Sequence, residues 1–173
     1  MDPAVATIAG SALAALLDEF LKLKPHIHGE WTGDLLYDRH GDLYTVRQSA
    51  ADPLRLAIPS IGFEYAYKGG FDSDGGSIPI VFRAIKKLRL RPDDFLKSYF
   101  LHDYAYATAS LWTRELGTSS PWARLSLDRA MADCLLYVGL TAEDATLVEA
   151  RAIYRAVRIG GSIAWRQHRA KDA

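Results

Sequence analysis

A chain of 173 residues, 49% of them hydrophobic, has enough apolar material for a full core, and the length points to one domain across 1–173. Its 21 Lys and Arg balance 21 Asp and Glu, so the formal net charge is zero and argues against recruitment of nucleic acid by overall charge. The lone cysteine, Cys134, excludes an internal disulfide and fits a reducing compartment, and no apolar run is long enough to span a membrane.

Residues 1–25 read as an N-terminal helix. Ile8, Leu13, Leu16, Leu17, Phe20 and Leu23 form a stripe within Ala4–Lys24 that suits packing on the core or on a partner, and Pro25 ends it. Asp2 stands where a secretory signal would carry a basic residue, so no signal peptide is expected. From 26 to 79 the pattern changes. Leu35–Tyr37, Leu43–Val46, Leu54–Ile58 and Phe63–Tyr67 are short runs separated by Gly, Pro, Asp and Ser, with Arg39-His-Gly-Asp42 a strong turn between the first two. That spacing predicts a small antiparallel sheet of three or four strands. His26, His28 and His40 have no cysteine pair and no partner at zinc spacing, and read as solvated loop histidines.

The rest, 80–173, reads as helical. Ile80–Arg91 sets Arg83, Lys86, Lys87, Arg89 and Arg91 among apolar residues, as in a helix with a solvated basic face. Pro92, Asp93 and Asp94 open the next helix, along which Phe95, Tyr99, His102 and Tyr106 recur at helical spacing. A loop over Thr113–Pro121 should lead to a helix over Trp122–Val138, closed by Gly139. In it Asp128 shares a face with Leu125, Met131, Ala132 and Leu135, whereas Asp133 has Arg129 one turn back and is accounted for by a local ion pair. Thr141 is expected to cap a final helix with Glu143 and Asp144 in its first turn and a core stripe through Leu147, Ala150, Tyr154 and Val157. The predicted class is α+β: a small N-terminal antiparallel sheet, then a bundle of three or four helices.

Two stretches carry chemistry: the acidic turn Asp72-Ser-Asp-Gly-Gly-Ser-Ile-Pro79, and Leu101-His-Asp-Tyr-Ala-Tyr106. On a helix His102 and Asp103 point about 100° apart, so a base and a cation-holding carboxylate address different parts of one cleft. The turn adds carboxylates and free carbonyls, the ligand types a hard cation takes. Asp128, the acid placed on an apolar face, is the natural partner for His102. A carboxylate accepting from one imidazole nitrogen fixes the tautomer and leaves the other nitrogen as base.

Together these motifs resemble a phage- and prophage-associated family of uncharacterised proteins that show Thr-Asp-x-x-Ser-Ile-Pro, then Leu-His-Asp-x-x-Tyr, then an acid in a helix ending at Gly. The likeness covers about residues 60–160 and names no reaction. More distantly, the order Asp-Gly-x-Ser, His-Asp-x-x-Tyr and a helical Asp is similar to bacterial and fungal phospholipase A₂ domains, as is the closing Tyr154-Arg-Ala-Val-Arg-Ile-Gly160. That second resemblance implies a Ca²⁺-dependent hydrolase of an acyl ester built on a His-Asp helix pair, with His102 the base and Asp128 its orienting acid. Asp103, Asp74 and the Gly75 carbonyl would hold calcium, Tyr106 would brace the Asp103 or Asp128 side through its hydroxyl, and Ser77 would support the turn. Gly76 and Tyr99 stand where those lipases carry a disulfide. The resemblances also leave open a phage or prophage structural or host-interaction protein, and a hydrolase directed at cell-wall material. A partner would be a lipid or other acyl substrate, or a phage or host protein. The chain would be cytoplasmic, or delivered with a phage particle or a contractile secretion system.

Overall fold

The computed structural model describes residues 27–49, 51–75 and 93–171, the side chains of 169–171 excepted. The predicted N-terminal helix, His26, Ser77, Gly76 and the basic stretch Ile80–Arg91 lie outside the described residues. Six strands come first: β1 (Glu30–Thr32), β2 (Leu35–His40), β3 (Leu43–Gln48), β4 (Arg55–Ile58), β5 (Phe63–Ala66) and β6 (Phe71–Ser73). Then follow helix α1 (Leu96–Thr108), strands β7 (Ser110–Glu115) and β8 (Ala123–Ser126), helix α2 (Arg129–Ala142) and helix α3 (Leu147–Lys171). The class is α+β, as the pattern of runs and stripes predicts. Among the described residues no helix is long and apolar enough to cross a membrane.

The four expected strand runs are all strands, but they divide between two antiparallel sheets, β1-β4-β5-β7-β8 and β2-β3-β6. The turn at Arg39–Asp42 joins β2 to β3, with His40 paired to Leu43 and Gly41 at φ 66°, a backbone state that glycine adopts without strain. His28 and His40 are exposed, in keeping with the solvated reading.

Three local expectations are corrected. Thr113–Pro121 is not all loop and Trp122–Val138 is not one helix, because β7 and β8 pair as a hairpin that joins the larger sheet. In β8 Ala123 and Leu125 are buried while Arg124 and Ser126 are exposed, the period-two alternation of a half-buried strand. Gly139 does not stop α2 but lies inside it. A Cβ there would fall 2.9 Å from the Ser98 hydroxyl and 3.1 Å from the Trp31 ring, and the Gly139 carbonyl accepts from the Trp31 indole at 3.1 Å. The glycine lets α1 and β1 approach α2. Finally, Thr146 rather than Thr141 caps the last helix. The Glu149 carboxylate takes the Thr146 N–H at 2.9 Å while the Thr146 hydroxyl takes the Glu149 N–H at 3.3 Å, a reciprocal capping box.

The core joins both halves of the chain: Tyr44, Val46, Leu56 and Tyr65 of the sheets pack with Phe100, Leu101 and Leu135 of the helices. A second apolar cluster lies between the helices, at Phe95, Tyr99, Leu136, Leu140 and Ile153. Helix α1 has no capping side chain of its own. Glu143, just past α2, accepts instead from the Lys97 and Ser98 N–H groups at 3.0 and 2.9 Å and from the Ser98 hydroxyl. Asp93, ahead of α1, takes a hydrogen bond from the Tyr44 hydroxyl and one from Arg39 at 3.1 Å, which ties the helix start to the β2–β3 hairpin.

Because one carboxylate serves two orphan helix donors, Glu143→Ala should lower the unfolding free energy by about 1–2 kcal/mol. Urea denaturation reads this directly, and an unchanged midpoint would show that water satisfies those donors equally well.

Candidate functional site

Tyr99, His102, Asp103 and Tyr106 recur three, four and seven residues apart, so α1 turns them to one side. His102 is 8% exposed. Its Nε2 lies 3.1 Å from Asp133 Oδ1, and the Tyr106 hydroxyl donates to the same oxygen at 2.6 Å. The other Asp133 oxygen accepts from Arg158 at 2.9 Å, with Arg129 at 3.7 Å. Burial by itself pushes the Asp133 carboxyl up. The hydrogen bonds from His102, Tyr106 and Arg158, with the field of the imidazole, outweigh it and hold the group below the ordinary carboxylate range.

The acid that meets His102 is therefore Asp133, not Asp128. Asp128 precedes α2 and caps it, its carboxylate accepting from the Met131 N–H at 2.8 Å. The expected Arg129–Asp133 pair is present but is the longer of the two arginine contacts. The acid that the Tyr106 hydroxyl braces is likewise Asp133 rather than the expected Asp103 or Asp128.

The second imidazole nitrogen, Nδ1, lies 3.9 Å from Asp103 Oδ1. Asp103 Oδ2 accepts from the Ser73 hydroxyl at 2.5 Å, and that hydroxyl oxygen accepts in turn from the Gly75 N–H at 3.0 Å. Gly75 has φ 69°, and a Cβ there would sit 2.5 Å from the Tyr44 ring, so the turn closes on the sheet only with glycine at this position. Burial raises the Asp103 carboxyl, His102 and the Ser73 hydrogen bond draw it back, and Asp74 raises it further; it settles at about 6. Asp74 and Asp103 are thus electrostatic neighbours, whereas Ser77 lies beyond the described residues.

His102, Asp103, Tyr106, Ser73 and Asp74 are among the residues that line a cleft of about 500 Å³. Asp72, Ser73, Asp74 and Asp103 form its polar part, and Tyr99, Leu136, Ile153, Val157 and Ile163 an apolar part built from all three helices. Among the described residues no three His, Cys, Asp or Glu side chains gather into a metal-binding group. Asp74, Asp103 and the Gly75 turn are nonetheless hard oxygen donors of the type calcium takes, and a shared cation would turn their mutual repulsion into attraction. Cys134 is buried, and burial pushes its thiol up to about 12, away from the thiolate form.

Sequence reasoning missed Ser73, Asp133 and Arg158. Ser73 lay inside the acidic turn, and Arg158 inside the closing motif Tyr154–Gly160, so the signal was present without a role attached. No family model matches the chain, and neither a curated protein nor a solved structure matches it.

The Asp103 value has a consequence for stability. A carboxyl at about 6 in the folded chain, against 3.8 as the ordinary value, binds its proton more tightly when folded. Its contribution is therefore complete below about pH 4 and is lost as the pH rises through about 6. In EDTA, the unfolding free energy of the native chain should fall from pH 4 to pH 7 relative to Asp103→Asn. Parallel pH profiles for the two proteins would refute this.

Proposed function

We propose that the protein hydrolyses an acyl ester, with His102 as general base and Asp133 as the acid that orients it. The observation that carries this reading is a buried imidazole anchored through Nε2 at 3.1 Å to a fully buried carboxylate, with Nδ1 on the side of Asp103, 3.9 Å from its Oδ1, and His102 among the residues that line a partly apolar cleft. A carboxylate on Nε2 keeps the proton there and leaves the Nδ1 lone pair free. Nδ1 then takes a proton from a water molecule as its oxygen attacks the ester carbonyl carbon. Asp133 stabilises the imidazolium that results. When the tetrahedral adduct collapses, the carbon–oxygen bond to the alcohol breaks and the imidazolium returns its proton to the leaving oxygen. Tyr106 and Arg158 hold Asp133 in place throughout. Calcium held by Asp74, Asp103 and the Gly75 carbonyl would supply Lewis-acid polarisation of the ester carbonyl.

The apolar part of the cleft suits an acyl chain, and the similarity of the His-Asp-x-x-Tyr stretch to phospholipase A₂ domains favours a lipid ester over cell-wall material. A second reading, a phage or prophage scaffold protein without activity, is favoured by one feature. Asp133 ties three helices through Arg158, Tyr106 and His102, a role that needs no substrate.

Release of fatty acid from a short-chain phospholipid with calcium present, measured beside a peptidoglycan digest, separates these readings. His102→Gln and Asp133→Asn should each lower the rate about 10²–10⁴-fold. Asp128→Ala should keep the rate while losing about 1 kcal/mol of stability, as the loss of a helix cap does. Titration calorimetry should give calcium-dependent heat with the native chain and none with Asp103→Asn. Hydrolysis that survives His102→Gln sinks the dyad, and no release from either material leaves the scaffold reading.

A further inference from the structure

The cleft leaves the outer face of the larger sheet without a role. In β7 and β8, Leu111 and Leu125 turn inward to the core they share with Phe100 and Leu135, whereas Trp112, Arg114 and Arg124 turn outward. Trp112 stands directly opposite Arg124. Two residues along, the order is reversed, and the Arg114 guanidinium lies over the Trp122 ring at 4.6 Å. From the end of β5, Lys68 sets its ammonium over the Trp112 ring at 3.6 Å. Cations and indoles thus alternate in both directions across three neighbouring strands. Lys68 and Arg124 are exposed, and both tryptophans keep part of their surface in solvent. Arg114 is paired with Glu64, which is buried beside it. Among the described residues Lys68 and Arg124 pair with no carboxylate. The face therefore carries a positive surplus that the zero formal charge of the whole chain conceals.

We propose that this face binds single-stranded nucleic acid, its bases stacking on Trp112 and Trp122 and its phosphates meeting Lys68 and Arg124. Diagonal neighbours on adjacent strands lie about 7–8 Å apart, a gap that neighbouring bases of an extended strand can bridge. Stacking on exposed indoles beside cations is tolerant of base identity, because every base presents a flat π face. An acidic peptide would use the two cations but has no repeated flat group for the indoles between them. A duplex keeps its bases stacked on one another and offers the indoles no free face. None of these side chains lines the cleft, so the proposal stands apart from the ester chemistry.

The probe is a fluorescein-labelled oligothymidylate of about twelve nucleotides, followed by anisotropy at low salt. The native chain should bind it with a dissociation constant of about 1–100 µM. Lys68→Glu combined with Arg124→Glu should weaken binding about tenfold or more. The slope of log affinity against log salt should also flatten by about 1.4, the amount two phosphates give on a single strand. Trp112→Leu should weaken binding about 5–100-fold and keep the salt slope. Arg151→Glu combined with Arg155→Glu, exposed positions on α3, makes the same change in net charge and should leave binding intact. The sheet charge variants alter only exposed side chains, so their result stands even if Trp112→Leu fails to fold. Absence of binding by the native chain overturns the proposal, as does an equal loss in the α3 control, which would mean attraction by overall charge. A duplex of the same length that binds more tightly also overturns it. So does a polyglutamate peptide that competes as well as unlabelled strand while Trp112→Leu changes nothing, since the face would then suit an acidic protein.

Discussion

A carboxylate with no solvent contact is costly unless its charge is met on every side. Asp133 is such a group: it is fully buried, and α1, α2 and α3 all send donors to it. One oxygen holds the imidazole and the Tyr106 hydroxyl, the other holds Arg158 and Arg129. Satisfying that charge fixes the mutual placement of the three helices and the orientation of the His102 ring at the same time. Other features follow from it. Gly161 is small because a Cβ there would come within 2.5 Å of the Tyr106 hydroxyl, and Trp165 of the same helix closes over the Tyr106 ring at 5.0 Å between centroids. Loss of any donor would leave part of a buried charge unmet, so stability and the candidate chemistry draw on the same contacts.

The sheets supply the other half of the site. Strand β6 pairs with β3, and its last residue, Ser73, reaches Asp103 across the gap between sheet and helix. A hydroxyl–carboxylate bond, the Gly75 contact with Tyr44 and the aromatic packing of Tyr44 on Phe100 tie the acidic turn to the helix. Tyr99 is part of the apolar wall of the cleft. A non-covalent tether of this kind couples the acidic turn to the state of Asp103, since ionising that carboxyl alters its bond to Ser73 and its repulsion from Asp74 together.

Much of the fold could be read from local pattern. The β2–β3 hairpin announced itself through Gly41 between two alternating runs, and α1 through aromatic residues at helical spacing, because these signals are short-range and depend on the chain's own geometry. The β7–β8 hairpin did not, since Trp112, Arg114 and Trp122 mix apolar and basic character and the strand alternation spans too few residues. Trp112 and Arg114 sit on the partly exposed face, with Lys68 over the Trp112 ring and Arg114 over Trp122, so their apolar rings say little about burial.

The choice of acid illustrates the limit. Helical arithmetic placed Asp128 and Asp133 on different faces, but it assumed that both lay in the helix and could not say which face would turn toward α1. By itself the sequence determined the His-Asp-x-x-Tyr spacing that turns His102 and Tyr106 to one side, and the turn chemistry of Ser73–Gly75. Only the tertiary structure decided that Asp128 spends its carboxylate on the Met131 N–H, that Asp133 faces His102, and that Arg158, 25 residues further on, neutralises it. The reason is that periodicity fixes angles about one axis, whereas the partner of a buried charge is set by how separate axes pack.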